Sequence, residues 1–280
     1  MKDLHITASA LVKFKQALQE GEKRGATIEK YLRDLRRFAS WLQGRAVSKS
    51  LIMEYKEQIG REYAVASANS MLASIHAFLR FCGRMDMSVK QFRVQRQAYL
   101  PESRELSREE YQRLVQAARQ QGKRRLCCLL QTICATGIRV SEVAFITVEA
   151  VRQGEAVVKC KGKQRRVFLV EHLRQLLKRY IREQGMTEGA VFRTARGKPL
   201  SRTAIWREMK ALCRAAKVLP EKVFPHNLRH LFARIFYGMD KDIAKLADIL
   251  GHSSMNTTRI YIATSGAEHR QRMESMRLIL

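Results

Sequence analysis

The chain has 280 residues, with 53 Lys and Arg against 26 Asp and Glu, giving a net charge of +27 at pH 7 and a pI near 10.4. That excess points to a polyanionic partner. A hydrophobic share of 46% excludes a merely basic disordered tail, and 4 Pro with 15 Gly exclude collagen-like or Pro-rich low complexity.

The cations are spread along the chain, 18 against 9 acidic residues up to Ala98 and 35 against 17 from Tyr99 onward. No single polybasic block of the lipid-anchoring kind is present, so two basic halves are expected to grip a duplex from two sides. Met1 to Ala10 lacks the apolar segment of a secretory signal, and no apolar run approaches the ~18 residues of a membrane span. Cys82, Cys127, Cys128, Cys134, Cys160 and Cys213 show no CxxC spacing and no matching His pair. Reduced thiols in the cytoplasm, with no structural metal, are therefore expected.

In chain order, the spacing predicts a first helix over Ala8 to Gln19. A second follows with Thr27 as its cap and Ile28, Tyr31, Leu32, Leu35, Phe38, Ala39 and Leu42 at helical intervals. Lys30, Arg33, Arg36 and Arg37 fall on its other face as a basic stripe suited to phosphates. Leu51 to Ile59 and Ala66 to Phe81 complete a four-helix bundle, residues 1–96. The polar stretch 97–105, with Pro101, reads as a linker, and Ser107 with Glu110 three residues on forms a capping-box pattern that opens the next domain.

That domain, residues 106–266, continues with a helix over Leu126 to Ala135. Ala156–Cys160 and Arg166–Val170 then alternate as a hairpin about a Lys-Gly-Lys turn. Helices are expected near His172–Glu183, Ser201–Ala215, Asn227–Tyr237 and Ile243–Leu250, with a last one at 267–280. The fold class is mainly α, a helical bundle plus a mostly helical domain with a small antiparallel β-sheet.

Three segments carry chemistry. In Ala135–Glu142 (ATGIRVSE), Arg139 follows a glycine break and can offer its guanidinium at a helix start, a position that favours phosphate. In Pro225–His230 (PHNLRH), His226 and Arg229 share one helical face. In Leu246–Tyr261 (LADILGHSSMNTTRIY), a helix stops at Gly251, His252 follows, and Tyr261 stands nine residues on. Each is weak alone: an Arg after Gly is usually a surface residue, His-x-x-Arg is a common spacing, and Tyr261 is one of eight tyrosines.

Their order, with a basic hairpin between the first and second, resembles the tyrosine recombinases of the lambda-integrase and Xer type, and TIEKYLRDLRRFASWL resembles that family's core-binding domain. The resemblance implies the DNA breaking-rejoining fold and a site-specific recombinase or integrase needing neither ATP nor metal, with no cofactor. Tyr261 would be the nucleophile that forms a 3′-phosphotyrosyl link. Arg139 and Arg229 would hold the phosphate oxygens, and His226 and His252 would handle protons or donate to the phosphate. Glu142 would orient Arg139.

The leaving-group acid is expected to be Lys161, directly before the turn glycine, although Cys160 replaces the family's first Gly and Lys163 is the alternative. Lys163, Arg165 and Arg166 otherwise read as a solvated turn on the phosphate backbone. His230 reads as a buried neighbour of the site, and Trp41 and Trp206 as core aromatics.

The partners implied are double-stranded DNA with inverted half-sites, a homo-tetramer on that DNA and accessory directionality proteins, with no membrane. The C-terminal helix would either pass to a neighbouring subunit or pack on its own domain. A type IB topoisomerase and a catalytically silent DNA-binding protein of the same fold are the competing readings.

Overall fold

The structure is a computed structural model that describes residues 3–93, 105–160, 163–252, 254–262 and 273–276. It divides into two compact units, Met1–Arg96 and Gln97–Leu280. The expected linker lies, up to residue 104, outside the described residues, as does the expected C-terminal helix except for 273–276.

The first unit contains α1 (Ala8–Glu20), α2 (Gly25–Leu42), α3 (Lys49–Glu62) and α4 (Val65–Phe81). Thr7 and Ser48 cap α1 and α3 by accepting from backbone N–H groups in the first turn. Helix α2 begins before the expected cap, with Arg24 in extended conformation, so Thr27 sits inside the first turn and donates its N–H to the Arg24 carbonyl. Phe14, Leu35, Phe38, Ile52, Leu72, Phe78 and Leu79 form the bundle core, each such side chain contributing roughly 1.5–3 kcal/mol by burial. Trp41 packs at its edge, stacked on Phe38 with ring centroids 6.0 Å apart.

The basic stripe on α2 is only partly free. Arg33 and Arg36 are exposed. Lys30 instead turns to Asp34 at 2.6 Å, the Ser70 carbonyl at 2.9 Å and the Ser74 hydroxyl at 3.2 Å. Burying the Asp34 carboxylate requires a cation beside it, and Lys30 is one turn away.

The second unit contains α5 (Arg108–Gln120), α6 (Arg124–Thr136), α7 (Val148–Gln153), β1 (Glu155–Cys160), β2 (Lys163–Phe168) and α8 (Glu171–Glu183). These are followed by α9 (Arg202–Lys210), α10 (Cys213–Ala216), α11 (Pro225–Asp240), α12 (Ile243–Leu250) and α13 (Met255–Ile262). Ser107 and Glu110 form a complete capping box at α5. Helix α6 is nearly all buried, from Leu126 to Thr136, and forms the hydrophobic centre on which α5, α8 and α11 pack.

The helix expected over Ser201–Ala215 is broken after Lys210. Leu212, Cys213 and Ala216 beyond the break still join Ile205 and Met209 in the core, with α10 packed beside α5. Strands β1 and β2 pair antiparallel, with Val158 opposite Arg165 and Ala156 opposite Val167. No helix among the described residues is long and apolar enough to cross a membrane.

Candidate active site

Five of the six expected site residues come together, carried by α6, α11, α12 and α13. Helix α6 ends at Gly137, whose φ of +61° is left-handed and whose missing Cβ leaves room for Phe232 and Leu250. The chain then turns at Arg139 into a short 3₁₀ segment, Val140–Phe145. Pro225 opens α11, its fixed φ and absent N–H suiting a first helical position. His226 and Arg229 follow on one face. Helix α12 closes at Gly251 in left-handed conformation, and His252 begins the loop to α13, which carries Tyr261.

The Tyr261 hydroxyl lies 3.0 Å from His226 Nε2. The tyrosine ring is 5% exposed and is clasped by imidazoles. His230 stacks on it at 4.1 Å and 10°, while His226 and His252 meet it at 5.1 and 4.9 Å. Desolvation of its ring against Tyr261, then the charges of Arg229 and Arg139, lower the pKa of His226, a residue otherwise exposed to the cavity, so at neutral pH Nε2 can accept the tyrosine proton.

Burial also pushes His230 and His252 down to about 4. His226 and Arg234 add to the effect at His230, and Arg229, Arg139 and Arg165 at His252. Arg229 Nη2 meets His252 Nε2 at 2.9 Å. A guanidinium can only donate, so Nε2 accepts, and Nδ1 carries the hydrogen given to the Thr258 hydroxyl 2.9 Å away.

Arg229 is fully buried. Its Nη1 donates to the Gly137 carbonyl and its Nη2 to the Leu250 carbonyl. Burial and the nearby Arg139 charge lower its pKa to about 10, so it remains a cation. Its Nε is buried without an acceptor among the described residues, an arrangement that costs free energy until an anion supplies one.

Arg139 donates through Nη1 to Glu142 at 2.9 Å and through Nη2 to the Gly251 carbonyl at 3.1 Å. Glu142 is 1% exposed. Burial alone would raise its pKa, but the Arg139 N–H, the Arg165 charge and the Arg139 guanidinium outweigh burial and hold it below the usual carboxylate range.

Arg139, His226 and Arg229 line one cavity of about 750 Å³, together with Arg202, Thr203 and Trp206. Trp206 is thus no core aromatic: it is 49% exposed because Ile205 and Met209 take the buried face of α9. Arg165 also departs from expectation, turning inward to Glu142 at 2.6 Å. Lys161, the sixth expected residue, lies outside the described residues, and of Lys163 only the backbone, as the first residue of β2, is described. Among the described residues no cluster of metal-ligating side chains occurs.

Sequence reasoning missed the role of Thr258 as the partner of His252, and it missed the stacking of His230. Both carry a sequence signal, Thr258 standing three residues before Tyr261 on α13 and His230 four after His226 on α11.

Residues 104–268 match the phage integrase family and residues 11–85 its N-terminal SAM-like domain. The chain is 30% identical over 275 residues to tyrosine recombinase XerD of Xanthomonas axonopodis pv. citri, covering 89% of this chain and 90% of that protein. It is 26% identical to tyrosine recombinase XerA of Pyrococcus furiosus, covering 100% and 98%. Two solved structures share the fold. A lambda integrase dimer bound to a COC′ core site has a TM-score of 0.75 at 17% identity, covering 93% of this chain and 96% of that one. XerH bound to palindromic difH substrate has a TM-score of 0.72 at 20% identity, covering 98% and 84%. The chain belongs to the phage integrase family, the tyrosine recombinases, which are enzymes of site-specific DNA recombination.

Proposed function

We propose that the protein cleaves and rejoins DNA strands through a 3′-phosphotyrosyl intermediate on Tyr261. The observation that carries this reading is the Tyr261 hydroxyl held 3.0 Å from a neutral His226, next to two arginines that share His226's cavity. The phenolic oxygen attacks the scissile phosphorus as its proton passes to His226 Nε2, and the bond to the 5′-oxygen breaks.

Arg139 and the Nε of Arg229 take the non-bridging oxygens, as guanidiniums that stay charged where they are held. Charge that develops on the phosphorane therefore meets fixed cations. His252 completes the pocket as a neutral donor or acceptor after Arg229 turns to the phosphate. The leaving 5′-oxygen takes its proton from Lys161 on the hairpin turn. Because the phosphodiester energy stays in the tyrosyl ester, the return step needs no ATP, and the guanidiniums supply the positive charge that a metal would otherwise provide.

The DNA is double-stranded, with inverted half-sites gripped by both basic units. A homo-tetramer on the DNA fits the reading, because lambda integrase is seen as a dimer on a core site and as a tetramer on a Holliday junction; accessory directionality proteins are part of the same proposal. A duplex nicked beside the cleavage site tests the chemistry. The wild type is expected to trap a covalent protein–DNA complex that Tyr261→Phe does not form, and no complex from the wild type overturns the reading. Relaxation of supercoiled plasmid without a site requirement would replace the recombinase reading by a topoisomerase one.

A further inference from the structure

One largely covered cation stands beside this machinery without a part in it. Arg165 lies on β2, and strand alternation explains its direction: Val167, two residues on, is in the core, while Arg166 and Phe168 point outward and are each 69% exposed. The Arg165 side chain is only 14% exposed. Its Nη2 donates to Glu142 Oε2 at 2.6 Å and its Nη1 to the Ile249 carbonyl at 2.9 Å.

Three guanidiniums therefore meet three consecutive carbonyls at the end of α12, Arg165 on Ile249, Arg229 on Leu250 and Arg139 on Gly251. These carbonyls have no partners inside the helix and form the negative end of its dipole, so cations suit them. His252 leaves the helix directly after them. Gly251 completes the fit, since a Cβ there would collide with the Arg165 methylenes. Unlike Arg139 and Arg229, Arg165 does not line the 750 Å³ cavity.

We propose that Arg165 is a positioning residue for strand cleavage, bridging Glu142 to the end of α12 so that Arg139 is aimed at the phosphate and the His252 loop is fixed. By sharing the Glu142 carboxylate it leaves Arg139 only partly neutralised. By holding Ile249 it anchors the hairpin that carries Lys161 to the loop that carries His252. This inference rests on the catalytic reading above.

The test pairs single-turnover cleavage of the nicked duplex, at saturating protein, with equilibrium binding to the same duplex across a salt series. Arg165→Gln is expected to lower the cleavage rate constant by about 10²-fold, the scale of misplaced positioning groups, with affinity within about threefold of the wild type and an unchanged salt slope. Partial unfolding alone would lower the amplitude of cleavage and leave its rate constant unchanged.

Arg165→Lys keeps a charge against Glu142 but has no fork to reach Ile249, so a folded protein cleaving about 10-fold slower is expected even where Arg165→Gln folds poorly. The double variant E142Q/R165Q should be little slower than E142Q alone, because the two act as one unit. Arg165 variants that cleave within threefold of the wild type, or that lose salt slope in step with rate, overturn the proposal. No covalent complex from the wild type overturns the catalytic reading and this inference with it. A cleaving wild type beside an equally active Arg165→Gln overturns this inference alone.

Discussion

Among the described residues each unit buries one carboxylate, and the two are balanced differently. Asp34 in the helical bundle meets Lys30 at 2.6 Å and the Ser74 hydroxyl at 2.8 Å, while the remaining Lys30 hydrogen bonds go to Ser70 and Ser74. The carboxylate is met by the Lys30 ammonium, whose three donors are all used, and more loosely by Arg33 Nε at 3.9 Å, so its charge is balanced within the unit. Glu142 in the second unit is shared by Arg139 and Arg165, and Arg229 lies beside them, held by two carbonyls, an imidazole and the Tyr261 ring. Three guanidiniums around one carboxylate leave positive charge uncompensated in a low-dielectric site, and a phosphate is the group that completes it. The first arrangement holds a fold together and the second is built for an anion.

Removing the nucleophile gives the largest expected effect on this contrast. Tyr261→Phe should abolish the covalent complex, a loss of about 10³-fold or more, while DNA binding measured by mobility shift stays within a few-fold of the wild type. Matching Tyr261 affinity loss would show that the ring serves grip rather than chemistry.

Next come the two carboxylates themselves. Glu142→Gln leaves two partly covered guanidiniums without their counter-ion, so thermal unfolding should show about 1–3 kcal/mol of destabilisation, and cleavage by the folded fraction should fall by about 10²-fold. Asp34→Asn should cost about 1–3 kcal/mol and leave the cleavage rate constant of the folded protein unchanged. Equal effects of both variants on that rate constant would erase the distinction.

A pH series separates the units further. His230 and His252 titrate near 4 in the fold and near 6.5 in an unfolded chain. The unfolded state therefore binds more protons between those values. The stability these residues contribute is complete above about pH 6.5 and is lost as pH falls toward 4. His230→Phe, which keeps a ring against Tyr261, should flatten the fall in melting temperature over that window, and an unchanged slope would remove His230 from the account. The lowered His226 pKa should likewise shift the acid limb of the cleavage profile below that of an ordinary histidine.

The smallest effect belongs to the free part of the α2 stripe. Arg33→Ala and Arg36→Ala should each reduce the log–log salt slope of DNA binding by about 0.9 if each meets a phosphate, whereas Lys30→Ala, removing a cation already satisfied inside the protein, should leave the slope unchanged and lower stability.

Local patterns made much of this legible beforehand. The bundle helices follow from apolar spacing, the α5 start from its capping box, and the grouping of Arg139, His226, Arg229, His252 and Tyr261 from three short motifs whose order resembles a known family. Other features were hidden because charge looks the same in sequence whether it is solvated or paired. Lys30 and Arg165 read as phosphate-facing cations, yet one neutralises a buried Asp34 and the other a buried Glu142. Trp206 read as core, yet its helix buries Ile205 and Met209 instead.

By itself, then, the sequence determined the two basic helical units, the family and the residue types of the site, since periodicity, caps and motif spacing are properties of the chain alone. Only the tertiary structure decided which cations remain free for an anion. That outcome depends on which carboxylates and helix ends fold against them: the Ile249, Leu250 and Gly251 carbonyls lie more than eighty residues along the chain from Arg165 and Arg139, and nothing local to either arginine announces them.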